Sequence, residues 1–137
     1  MREIKFRAKD FHTGIWHYGC LVYKERRCTM LERVGKGSGN AFVGFPCHSD
    51  TIGQYIGKKD KNGNEIYEGD IMQYNSLLRP EKYYRYVIAW NPIDMAFGCA
   101  SLALAFLDCP DIGGGAQITD STIIGNIHDN PELLKQE

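Results

Sequence analysis

A chain of 137 residues, 43% hydrophobic and 12% aromatic, has enough apolar material for one domain-sized core and too much for wholesale disorder. Its formal charge of −1 lacks the positive excess of a protein that coats duplex nucleic acid, although a local basic patch is compatible with that sum. The aromatic content tilts the expected fold toward strands, whose pleated, half-buried surfaces suit such side chains.

From the amino end, EIKFRAK (Glu3–Lys9) alternates. Ile4, Phe6 and Ala8 fall on one side and Glu3, Lys5, Arg7 and Lys9 on the other, which predicts a strand with one wet face. DFHTG (Asp10–Gly14) predicts a turn, and IWHYGCLVY (Ile15–Tyr23) the second arm of a hairpin. RCTMLERV (Arg27–Val34) reads as a third strand and GKGSGN (Gly35–Asn40) as a flexible loop. AFVGF (Ala41–Phe45) reads as a short strand that Pro46 should interrupt.

The sharpest local signal follows. TIGQYIG (Thr51–Gly57) and EIYEGDIMQY (Glu65–Tyr74) flank Asp60-Lys61-Asn62-Gly63, a type I turn closed by a left-handed glycine, and so predict a hairpin. Gly69-Asp70 breaks its second arm before Ile71. After a polar link (Ser76–Lys82), YYRYVIAWN (Tyr83–Asn91) predicts a strand stopped by Asn91-Pro92. Met95–Leu107 carries helix-forming residues, but the alternation of Leu102, Leu104 and Phe106 favours strand. CPDIGGGAQ (Cys109–Gln117) reads as a loop and STIIGNI (Ser121–Ile127) as a last strand. Asn130-Pro131-Glu132 predicts the start of a short C-terminal helix. The chain reads as one domain, 1–137; division into two β sub-lobes of about 1–47 and 51–137 is compatible with the pattern but not required by it.

IKFRAKD, TIGQYIGKKDKNGNEIYEGDIM and IIGNIHDNPELL, in that order, resemble the YopX family of phage and prophage proteins. The central stretch is the specific one. Lys9 departs from the aromatic of the family's FRAWD-like start, a change of one side chain on the first strand. The resemblance implies a phage or prophage origin, hence a bacterial host cytoplasm, a β-rich fold with a small-barrel core, and frequent self-association. It implies no reaction, since the family has no assigned biochemical activity. Glu68-Gly69-Asp70-Ile71 also resembles the start of a strand in SH3-like barrels, where Asp caps the turn and the next apolar residue enters the core. The expected fold is therefore mainly β: an SH3-like barrel core, an additional N-terminal β region and a short C-terminal helix.

The carboxylates Asp60, Glu65, Glu68 and Asp70 read as turn-building and solvated groups rather than a converging acid–base pair. His12, His17, His48 and His128 could in principle activate Cys20 or Cys47, but no nucleophile motif accompanies them, and they read as surface or loop histidines. Cys20, Cys28, Cys47, Cys99 and Cys109 lack the spacing of a zinc site and read as free, mostly buried thiols. The glycines of Gly35–Asn40 and Gly113–Gly115 lack the Lys-Ser/Thr and helix of a phosphate loop. No catalytic residue, metal or cofactor is expected. No apolar run approaches the ~20 residues of a membrane span, and MREIKFRAKD does not resemble a signal peptide, so a soluble cytoplasmic protein is expected.

Aromatic and basic residues gather in the segment from Tyr74 to Trp90. Along its strand Tyr84, Tyr86, Ile88 and Trp90 share one side, apolar enough to be core. Tyr83 and Arg85 face the other way and, with Lys58, Lys59 and Lys61 of the neighbouring hairpin, are the candidates for stacking and neutralising a single-stranded nucleic acid. A non-enzymatic phage accessory module that self-associates or binds a protein partner leads the expectations. A single-strand binder comes second, and a small hydrolase or nuclease without an identifiable site third.

Overall fold

The computed structural model describes residues 3–35, 41–100, 106–107 and 118–135. The chain divides into two compact units, Met1–Tyr55 and Ile56–Glu137.

The first unit is an antiparallel sheet of β1 (Phe6–Lys9), β2 (Trp16–Lys24), β3 (Arg27–Val34) and β4 (Ala41–Cys47), adjacent in space in the order β4-β3-β2-β1. The predicted hairpin forms, with Lys9 opposite Trp16 and Gly14 in the left-handed region. Asp10 builds its turn: Oδ1 accepts the N–H groups of His12 at 2.8 Å and Thr13 at 3.1 Å. At Gly19 (φ 151°) an added Cβ would lie 2.4 Å from the Leu31 carbonyl oxygen, so only glycine lets β2 run this close to β3. Ala8, Cys28, Met30 and Cys47 form the core, backed by Phe6, Leu21, Phe45 and Ile52.

Two expectations for this unit change. Pro46 does not interrupt β4, which continues to Cys47. The strand lies at the sheet edge, where a missing N–H leaves no ladder bond unmade. The supposedly wet face of β1 is not wholly wet: Arg7 is buried, its guanidinium 4.7 Å from the centroid of the Trp16 ring.

Strand β5 (Gly53–Lys59) follows a 3-10 turn at Ser49–Thr51 and serves both units. Gly53 and Gln54 pair with β1, while farther along the strand pairs with β6 (Glu65–Tyr67). The turn between β5 and β6 is as expected, with Gly63 at φ 85° and its N–H donating to the Asp60 carbonyl at 3.0 Å.

In the second unit β7 (Asp70–Asn75), β8 (Tyr83–Asn91), β9 (Ala96–Ala100), β10 (Phe106–Leu107) and β11 (Thr122–Asn126) form a sheet ordered β10-β9-β8-β7-β11. Ile66 of β6 packs with Met72, Tyr86, Ile88 and Cys99 of this sheet, and Ile56, Tyr74, Ile118 and Ile123 close the cluster. The ends of Met95–Leu107 are strands, as its alternation favoured; residues 101–105 and the loops expected at 36–40 and 109–117 lie outside the described residues.

Among the described residues the SH3-like barrel is not found: the sheet they form is not closed and ends on β10 and β11. The local chemistry that suggested it is present nonetheless, since Asp70 Oδ2 accepts the Tyr67 N–H at 2.7 Å and Ile71 is fully buried. A turn of this type starts a strand correctly but does not dictate closure of the sheet. The C-terminal helix is also absent. Pro131–Leu134 makes a single 3-10 turn, and the Asn130 side chain expected to cap it instead accepts the Asn126 N–H at 3.2 Å, bracing the end of β11.

Candidate functional site

Tyr83 and Arg85 come together as alternation requires. The Arg85 guanidinium lies 4.9 Å from the Tyr83 ring centroid, and its Nε donates to Gln73 Oε1 at 3.0 Å across the β7–β8 ladder. Tyr83 is exposed and Arg85 half-buried. Lys58, Lys59 and Lys61 are all exposed, but they stand on the β5–β6 hairpin rather than on this sheet. The opposite side of β8 is core only at its centre. Tyr86 and Ile88 are buried, whereas Tyr84 and Trp90, expected with them, are 40% and 46% exposed. Sheets cover the middle of a strand better than its ends, and alternation carries no information about ends.

Two of the four carboxylates on or beside that hairpin, Asp60 and Asp70, build turns. Asp60 is buried at the tip: Oδ1 accepts the N–H groups of Asn62 and Asn64 at 2.9 and 2.8 Å, and Oδ2 that of Ile123 at 3.0 Å. Burial opposes its ionisation, but these N–H donors outweigh it and hold the carboxyl below its ordinary value. Its turn role was legible in the sequence. Its grip on β11 was not, because the partner is distant in the chain.

The histidine reading is corrected at one position. His17 is buried between two acids, Nε2 2.8 Å from Asp10 Oδ2 and Nδ1 2.7 Å from Glu32 Oε2, its ring stacked on Phe45 at 3.8 Å. Burial disfavours the imidazolium, yet the two carboxylates prevail and raise its pKa. Asp10 falls to about 2, chiefly through the His17 bond and then the N–H groups of His12 and Thr13. With both ring nitrogens engaged, His17 ties β2 to β3 and to the hairpin turn and has no free nitrogen for general-base work. One sequence signal was available: His17 alternates with Gly19 and Leu21, the inward side of β2.

Cys28 and Cys47 stand opposite each other on β3 and β4, both buried and free. Burial, then the neighbouring Cys28, pushes the Cys47 thiol up to about 11, and its Sγ donates to the Phe45 carbonyl at 3.3 Å. At neutral pH it is a thiol rather than the thiolate a nucleophile requires. Cys20, by contrast, is exposed.

The other face of the same sheet carries exposed apolar side chains among polar ones. The register sets Cys20 beside Leu31 and Arg33 beside Phe42, so Tyr18, Cys20, Val22, Leu31, Arg33 and Phe42 share that side. Tyr18, Val22 and Phe42 are 43%, 47% and 53% exposed. Phe42 lies on β4, the last strand of the sheet order, whose carboxyl end is itself bridged: the Pro46 carbonyl accepts the Phe11 N–H at 2.8 Å and Cys47 pairs with Asp10.

These features define a mainly β protein of two antiparallel sheets whose buried ionic groups brace turns and strands. Among the described residues, no helix is long and apolar enough to cross a membrane, and no cluster of three or more His, Cys, Asp and Glu suits a metal ion. Residues 5–135 match the family model described as YopX protein, and the chain belongs to that family. It is also similar to a solved structure, the crystal structure of protein EF1440 from Enterococcus faecalis. The two share 26% sequence identity and a TM-score of 0.58, over 98% of this chain and 100% of that one. No curated protein matches.

Proposed function

We propose that this protein is a non-enzymatic accessory module, of phage or prophage origin, that associates with a second copy of itself or with a protein partner. The observation that carries this reading is the exposure of Tyr18, Val22 and Phe42 on one face of the β2–β4 sheet. Large apolar side chains exposed on one sheet face cost solvation free energy until something covers them. The inert Cys47 thiol and the fully engaged His17 favour association over catalysis.

Light scattering at micromolar concentration tests it. The expected mass is a multiple of 15.5 kDa, reverting to 15.5 kDa in Phe42→Asp. If the wild type runs as a monomer, capture from lysogenic cells should return a protein that Phe42→Asp fails to retain. A monomer that captures nothing dependent on Phe42 overturns the reading.

A second reading rests on the Arg85–Tyr83 stack: a single-stranded nucleic-acid binder using that pair with Lys58, Lys59 and Lys61. Its affinity for an oligonucleotide should fall steeply with salt and fall further in Tyr83→Ala. Salt-insensitive or absent binding removes it.

A further inference from the structure

A pocket of about 410 Å³ opens in the first unit, in the size range of small-ligand sites. Its floor includes the buried Cys28 and Cys47, and its cations are Arg26 and Arg27 of the β2–β3 turn. Phe11 supplies an exposed aromatic wall, held against His48 with ring centroids 4.6 Å apart and fixed by its own N–H, which donates to the Pro46 carbonyl at 2.8 Å. Ser49 and Asp50 also line it.

The turn that carries the arginines is unusual. Lys24 pairs with Arg27, leaving Glu25 and Arg26 as a two-residue loop, both left-handed at φ 53° and 64°. Hairpins of this shape favour Asn-Gly, because side-chain-bearing residues take that conformation at a cost. A glycine in place of Arg26 would relieve the backbone and remove the guanidinium. Strain kept where a relaxed alternative exists points to a use for the side chain.

We propose that this pocket binds a small phosphorylated molecule bearing a flat ring, of the nucleoside monophosphate class. Arg26 and Arg27 supply the guanidinium charge that pairs with the phosphate, and the ring lies on Phe11. Asp50 accepts from a hydroxyl or amine of the same ligand. That carboxylate repels a bare phosphate and so favours the whole nucleotide. The same chemistry exists free or at the 5′-phosphorylated end of a strand.

The test titrates the intact protein at low salt with AMP, GMP, CMP and UMP, with adenosine, inorganic phosphate and a 5′-phosphorylated oligonucleotide alongside. At least one mononucleotide should bind saturably and more tightly than adenosine or phosphate, moving the amide resonances of Thr29, Ser49 and Asp50. Tighter binding of the oligonucleotide than of any mononucleotide would assign the ligand to a strand end, and the reverse to a free nucleotide. Arg26→Ala should weaken binding by about tenfold or more. The double variant Glu25→Asn/Arg26→Gly should melt at a higher temperature yet lose binding to the same degree, which separates the role of the side chain from a folding defect. No saturable binding by any phosphorylated probe, resonance changes elsewhere in the chain, or full affinity in the double variant would overturn the proposal.

Discussion

The two units hold their buried acids differently. In the first, Asp10, His17 and Glu32 pair side chain to side chain, so that its interior holds a titrating ionic chain beside a core of Ala8, Cys28, Met30 and Cys47. In the second, the core side chains are mostly larger, and the buried acids Asp60 and Asp70 accept from backbone N–H groups. Backbone donors do not titrate, so within the Asp60 set only the carboxyl itself responds to pH. In the first unit the partner of the buried acid titrates as well. Its stability depends on the charge of an imidazole, and exposed apolar side chains stand on its outer face.

The contrast can be tested with the two tryptophans, Trp16 in the first unit and Trp90 in the second, each retained alone as a reporter of unfolding. The largest effect is expected from Ile66→Ala, which empties a fully buried site in the second unit and should cost about 2–5 kcal/mol in urea denaturation read at Trp90. Asp60→Ala should cost about 3 kcal/mol, because it strands N–H groups of the hairpin tip and of β11. Asp60→Asn should cost less, since its oxygen can still serve part of that set. Equal losses in the two would show that the charge, rather than the geometry of acceptance, matters.

The smallest effect carries the sign of the comparison. The His17 pKa is raised, so its contribution is complete below its ordinary 6.5 and is lost as pH climbs through the folded value. Asp10 is depressed, so its contribution is complete above its ordinary 3.8 and is lost as pH falls toward about 2. Stability read at Trp16 should therefore peak between those ordinary values and decline on both sides. His17→Gln should cost about 1–2 kcal/mol near pH 6 and flatten the alkaline decline. A Trp90 signal that follows the same alkaline decline would break the comparison.

The sequence made the strands legible because alternation is local: β3 and β8 run over the residues their patterns marked, and Asp10, Asp60 and Asp70 build the turns expected of them. What it concealed was set by neighbours distant in the chain. Pro46 is tolerated because β4 is an edge, and the exposed Trp90 lies on β8 beyond the β7 ladder, which reaches only Val87. His17 is buried because Asp10 and Glu32 converge on it from two other segments. The candidate surfaces follow the same division. The adjacency of Tyr83 and Arg85 could be read from the strand, whereas the Tyr18–Val22–Phe42 face needed the register of three strands.

Asp60 reaches across 63 residues to hold Ile123. During synthesis the tip of the β5–β6 hairpin leaves the ribosome long before β11 exists, so its buried carboxylate must wait, hydrated, for the partner that later encloses it. The partners of His17, by contrast, are Asp10, Glu32 and Phe45 of the first unit, so that cluster can assemble early on the nascent chain. The second unit locks last, and a ribosome stalled ahead of Ile123 would display a finished first sheet above an unlatched hairpin.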